Sequence, residues 1–167
     1  MLPILVSLPV LALALLLQTA VISRIVLING SADLILLILA ALGLQERVRH
    51  AWIWAVVAGL LVGFASGVPW YVYLASYLAV IGIARLLTRQ VWQAPLLAMF
   101  SVTLIGTLVL QMTTFIVLTF LQISLSIGEV FEKIVLPSIL LNLLLAIPVY
   151  SLVRDLAYRL YPGEAEP

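Results

Sequence analysis

Long apolar runs separated by short polar clusters set the pattern of this chain. Residues 1–23 carry no charge, and Arg24 and Asp33 bracket a polar patch with Asn29, Gly30 and Ser31. The next cluster is Glu46-Arg47-Val48-Arg49-His50, then Arg85 with Arg89, then Glu129, Glu132 and Lys133; Arg154 opens a polar tail. A membrane-spanning helix needs about 20 predominantly apolar residues. The runs predict six such helices, at about 3–22, 32–44, 51–67, 70–87, 95–122 and 134–153. The second is short and is expected to be tucked inside the bundle or assisted by the polar residues before it. The stretch after His50 is too long for one span and breaks at Gly67-Val68-Pro69-Trp70, a turn signal. The runs are continuous rather than alternating, which argues against a strand barrel. The predicted fold class is an all-α integral membrane protein, a six-helix bundle over residues 1–161 with a flexible tail at 162–167.

Composition supports this reading. Apolar residues make up 65% of the chain and charged residues 9%. A soluble globule of 167 residues has too much surface to cover with so few charges, and a disordered chain is excluded on the same ground. Six crossings put both ends on one side of the membrane. With the N-terminus inside, the inner segments hold Arg47, Arg49, Arg85, Arg89, Arg154 and Arg159, and the outer ones only Arg24 and Lys133. The excess of basic residues on cytoplasmic segments then places both termini in the cytoplasm. The first run lacks a basic leader and a clear cleavage site, so it reads as an uncleaved anchor. With no cysteine there is neither a thiolate metal site nor a cysteine nucleophile, and a net charge of +1 leaves no footprint for nucleic acid.

Local signals refine the spans. Pro9 and Pro148 are expected to loosen their helices, whereas Pro137 falls in the first turn of the sixth span, where proline is tolerated. Ser126 and Glu129 have capping-box spacing. With Ile127, Val130, Phe131 and Ile134 they predict a short amphipathic helix lying on the outer surface. Residues 150–161 predict a similar helix inside, with an Asp155–Arg159 pair.

Candidate chemistry is sparse. Ala51, Ala55, Gly59, Gly63 and Gly67 recur every four residues, a small-residue stripe for close helix approach, within the bundle or against a partner's helix. Thr103, Thr107, Gln111 and Thr114 share one face of the fifth span. With Asn142 and Gln18 they form a candidate polar seam, either a structural hydrogen-bond line or the wall of a substrate cavity. Asp33, with Ser31 beside it, reads as a helix cap near the membrane surface. His50 reads as a solvated interfacial residue, and Arg85 as a side chain reaching to the inner surface. The segment Gly63-Phe64-Ala65-Ser66-Gly67 faintly resembles the serine motif of rhomboid proteases, but no histidine follows His50 to serve as base. No phosphate loop, carboxylate pair or metal cluster is evident, and no cofactor is expected.

The order of features resembles the rod shape-determining protein MreD family. The resemblance is carried by Leu17-Gln18, Ala32-Asp33-Leu34-Ile35-Leu36-Leu37, Gly59-Leu60-Leu61-Val62-Gly63 and Pro137-Ser138-Ile139-Leu140-Leu141-Asn142 followed by Ala146 and Pro148. Ala32 stands where the family usually has proline, and Gly67 where many members carry aspartate. The resemblance implies a six-span fold similar to the substrate-binding subunits of energy-coupling-factor vitamin transporters. It implies no enzymatic activity. The implied role is scaffolding in the bacterial cell-elongation machinery, in contact with MreC and in company with RodA, a class B penicillin-binding protein and MreB. The rival expectation is a vitamin-type transporter subunit, and a lipid-binding or lipid-flipping protein is a third.

Overall fold

The computed structural model describes residues 2–20, 29–90, 94–123 and 126–161, and every regular element among them is helical except one isolated bridge at Gly30. Arg24 and the tail at 162–167 lie outside the described residues, as does the end of the first predicted span. The helices are α1 (Leu2–Ala20), α2 (Leu34–Gly43), α3 (Ala51–Ala65), α4 (Trp70–Gln90), α5 (Pro95–Phe120), the single turn α6 (Ile127–Val130) and α7 (Leu136–Leu160). A π-helical turn, Phe131–Val135, joins α6 to α7. Three helical stretches are long and apolar enough to cross a membrane: Trp70–Thr88, Pro95–Phe120 and Ile127–Leu160. Val6–Ala20, Leu34–Gly43 and Ala51–Ala65 are shorter apolar helices.

Helix α2 is apolar around its whole circumference, and such a helix belongs at the centre of a bundle. Eight of its ten residues are buried. It packs against α1, α3, α4, α5 and α7, while the outer helices pair in the order α1–α3–α4–α5–α7. The outward faces carry the large apolar residues expected of a surface bathed in lipid: Phe64 is 77% exposed, Phe120 83% and Leu144 72%.

The sixth predicted span differs from expectation at both ends. Instead of a separate surface helix, α6 continues through the π turn into α7. Pro137 falls in the first turn of α7, as expected, but that turn continues the rod from the π turn rather than starting free. Having no N–H, Pro137 leaves the Lys133 carbonyl without its usual helical donor. The Asn29 amide takes that place, donating to Lys133 O at 3.1 Å. The Ser126 side chain makes no capping bond; Glu129 pairs instead with Lys133 at 2.9 Å. Both partners are exposed, so the pair adds little stability. At the other end α7 runs unbroken to Leu160, so residues 150–161 are not a separate surface helix. Asp155 lies 3.6 Å from Arg154 rather than pairing with Arg159.

Candidate functional site

Polar chemistry converges at the head of α2. Asp33 is its N-cap, with extended backbone, and its Oδ1 accepts from the Leu36 amide at 3.0 Å. Its Oδ2 accepts from the Tyr77 hydroxyl of α4 at 3.0 Å. Gln18 of α1 accepts from the Ile35 amide through Oε1 at 3.2 Å. Asn142 of α7 accepts from the Asp33 amide through Oδ1 at 2.7 Å and donates through Nδ2 to Thr107 Oγ1 of α5 at 2.9 Å. Four outer helices are thereby tied to the start of the central one. Ser31 is exposed and is not the cap residue.

The depth of this hub follows from helix geometry. At about 1.5 Å per residue, Tyr77 lies about 10 Å along α4 from Trp70 and about 12 Å from Arg85. Thr107 is about 18 Å from one end of α5 and about 20 Å from the other, and Asn142 is near the middle of the rod Ile127–Leu160. Asp33 therefore sits at mid-depth of the bundle, not near the surface as its charge suggested. Helix α2 is about 15 Å long, half of an apolar core of about 30 Å. Before it runs a non-helical stretch from Asn29 to Asp33. Four extended residues cover about 13 Å, and the helical rise from Lys133 to Asn142 is about the same. Asn29 and Asp33 bond to those two residues in turn. Non-helical backbone is tolerated at this depth only where protein covers it. Gly30 and Ala32 are buried, and Asn29 and Ser31 are exposed. A Cβ on Gly30 would lie 2.7 Å from Ile134 O and from Ser138 N, so glycine permits the close approach.

The remaining seam residues part company. Gln111 makes only a long 3.4 Å bond to Ser138, and Thr114 bonds back to Leu110 O in its own helix. Thr103 is buried with no partner for its hydroxyl among the described residues, as are Ser76 Oγ and Trp54 Nε1. Gln111→Leu is therefore expected to leave thermal stability in mild detergent nearly unchanged, within about 0.6 kcal/mol. A loss as large as that from Asn142→Leu would show that the 3.4 Å contact matters more than its length implies.

Gly59 and Gly63 of the small-residue stripe lie in the α3–α4 interface. A Cβ on Gly59 would meet Leu74 Cα at 2.6 Å, and one on Gly63 would meet Trp70 Cα at 2.7 Å. Ala51 and Ala55 are fully buried, whereas Gly67 is exposed with nothing within 4 Å of an added Cβ. His50 is exposed. Arg85 does not reach outward: its two Nη atoms donate to Gln45 O and Val48 O, and pin the loop between α2 and α3. Tyr77 was not singled out from sequence, and Ser138 and Gly30 were named only within a motif and a polar patch. A tyrosine in mid-span was the available signal, because a buried hydroxyl needs a partner.

One lateral gap remains around α2. Between α1 and α7 lies an apolar groove of about 210 Å³, with half-buried Leu34 and Ile38 and the buried Leu42 and Trp54 in its lining. Its rim leucines stand outward, Leu13 at 59% and Leu152 at 71% exposure. Among the described residues no group of three or more His, Asp or Glu could hold a metal ion. No protein-family model matches the chain, and no curated protein or solved structure matches it.

Proposed function

We propose that this chain is a six-span, non-enzymatic scaffold of the bacterial cell-elongation complex, lying in the cell membrane with both ends in the cytoplasm. In this reading it binds the single span of MreC and helps position or regulate peptidoglycan synthesis alongside RodA, a class B penicillin-binding protein and MreB. Helices α1, α3, α4, α5 and the α6–α7 rod are five of the crossings, and the non-helical stretch plus α2 is the sixth.

The observation that carries the proposal is the gap in the ring around α2. Five helices cover the central one, and the uncovered strip between α1 and α7 is apolar and faces sideways, into lipid. A single helix laid along α1 and α7 would complete the ring with its side chains seated on Leu34 and Ile38. The glycine stripe is engaged by α4, which leaves this groove as the better-formed docking face.

Co-expression with MreC tests the assignment. Tagged wild-type protein is expected to bring MreC down in mild detergent. Leu152→Trp, which crowds the groove rim, is expected to cut recovery about tenfold, the equivalent of about 1.4 kcal/mol of binding. Leu144→Trp, on another exposed part of α7, is expected to leave it unchanged. No recovery with wild type, or equal recovery with both variants, overturns the proposal.

A second reading, a substrate-binding subunit of a vitamin-type transporter, draws on the half-length α2. Transporters use the N-termini of such broken helices to hold anionic groups at mid-membrane. Here the amides of Asp33, Ile35 and Leu36 are already engaged by Asn142, Gln18 and Asp33. That favours a structural role for the hub. A small molecule retained through purification and seen by native mass spectrometry would reverse the preference.

A further inference from the structure

A second, quite different cavity lies where α4 meets the loop between α2 and α3. It encloses about 320 Å³ and is lined by Glu46, Trp52, Arg85 and Thr88. Its walls place one cation and one anion on the same small space. Arg85 and Glu46 influence each other electrostatically, yet among the described residues they form no ion pair within 4.0 Å.

The donors and acceptors left over can be counted. A guanidinium has five N–H donors. Arg85 directs two of its bonds to the carbonyls of Gln45 and Val48, which leaves donors for a further acceptor. These carbonyls do not neutralise its charge. Thr88 commits its hydroxyl proton to Ala84 O at 2.8 Å, so its oxygen remains as an acceptor. Glu46 is exposed, and Trp52 is 45% exposed while resting against Gly82. The site thus offers an anion subsite at Arg85 and a cation subsite formed by the Glu46 carboxylate, the Thr88 oxygen and an indole.

Location narrows the ligand. The same loop carries Arg47, Arg49 and His50, a charged band at one end of the bundle. Leu86, adjacent to Arg85 in sequence, is 65% exposed on the apolar flank. A pocket at this boundary meets lipid headgroups, and tryptophan is enriched at that level.

We propose that the pocket binds a phospholipid whose headgroup carries both a phosphate and a primary ammonium, as phosphatidylethanolamine does. The phosphate sits on Arg85, and the ammonium donates to Glu46 and Thr88 beside Trp52. A quaternary choline has no N–H to donate. A glycerol headgroup leaves Glu46 without a counter-charge.

The test uses the full chain in mild detergent, titrated with phosphatidylethanolamine, phosphatidylcholine or phosphatidylglycerol, and reads bound lipid by native mass spectrometry. Retention of phosphatidylethanolamine is expected to exceed that of either other lipid about tenfold, in the range of one charge-assisted hydrogen bond. Glu46→Gln should erase that preference without changing the melting temperature of the lipid-free protein. Glu46→Lys should turn the preference toward phosphatidylglycerol. Equal retention of the three lipids by wild type, or an unchanged preference in Glu46→Gln, overturns the proposal. So does saturation of the site by water-soluble phosphoethanolamine at the same concentration as the lipid, which would identify a soluble zwitterion instead. The pocket shares no residue with the α1–α7 groove, so failure of MreC capture leaves this test standing.

Discussion

Gly63→Leu is expected to prevent assembly of the bundle or to lower its stability by about 3 kcal/mol or more. The first added carbon alone would fall 2.7 Å from Trp70 Cα, 2.8 Å from its Cβ and 3.0 Å from its carbonyl oxygen. A flexible side chain in the way could rotate aside, but here the obstacle is mainly the backbone of the first turn of α4. The two helices must therefore separate. One turn earlier, Gly59 meets Leu74 Cα and N in the same manner, so separation at one step spreads to the next. Gly67→Leu is the matched control, because nothing lies within 4 Å of its added Cβ. Monodisperse yield and melting temperature in mild detergent measure the contrast. Equal behaviour of the two variants would show that α3 and α4 do not approach closely.

This contact was half legible in the sequence. A period of four in Ala51, Ala55, Gly59 and Gly63 signals a close helix crossing whatever the partner, because only small residues let backbones meet. Which helix fills that face is not written in α3 itself. The answer is α4, joined to α3 by the tight turn through Gly67 and Pro69. The central place of α2 was legible for a similar reason. Ten residues without a polar face cannot lie at a water boundary, and a segment of that length cannot cross the membrane alone.

The depth of Asp33 was misread because charged residues elsewhere in the chain mark the membrane boundary, and Asp33 was placed by the same rule. The rule fails where a carboxylate meets donors inside the bundle. The Leu36 amide is local, but the other partners are distant in sequence: the Tyr77 hydroxyl that donates to the carboxylate is on α4, and Asn142, which accepts from the Asp33 amide, is on α7. One link could have been derived from local chemistry. Pro137 frees the carbonyl four residues earlier, and a freed carbonyl inside a membrane protein calls for a donor. Nothing local says that the donor is Asn29. The pocket at Glu46, Trp52, Arg85 and Thr88 was hidden for the converse reason. Each residue looks ordinary at an interface, and only folding sets an unpaired anion and cation about one cavity.

Asp33→Leu is expected to be the most damaging change in the polar hub, at about 2–4 kcal/mol. It removes the acceptor for the Leu36 amide and for the Tyr77 hydroxyl, which belongs to a fully buried side chain. Each buried donor left unpaired costs about 1–3 kcal/mol. Side-chain hydrogen bonds between membrane helices average only about 0.6 kcal/mol, but that figure applies where the unfolded chain finds other partners. An amide at the head of a half-length helix has no neighbouring turn to supply one. Asp33→Asn keeps an oxygen for Leu36 and is expected to lose less than half as much. The decisive comparison adds Tyr77→Phe. In Asp33→Leu/Tyr77→Phe no orphan hydroxyl remains, so the double variant should be less damaged than the sum of the two single changes. Unfolding in mild detergent measures wild type and the four variants. Simple additivity would mean that Asp33 and Tyr77 are not coupled, and a melting temperature for Asp33→Leu equal to that of wild type would mean that the hub does not hold the outer helices to α2.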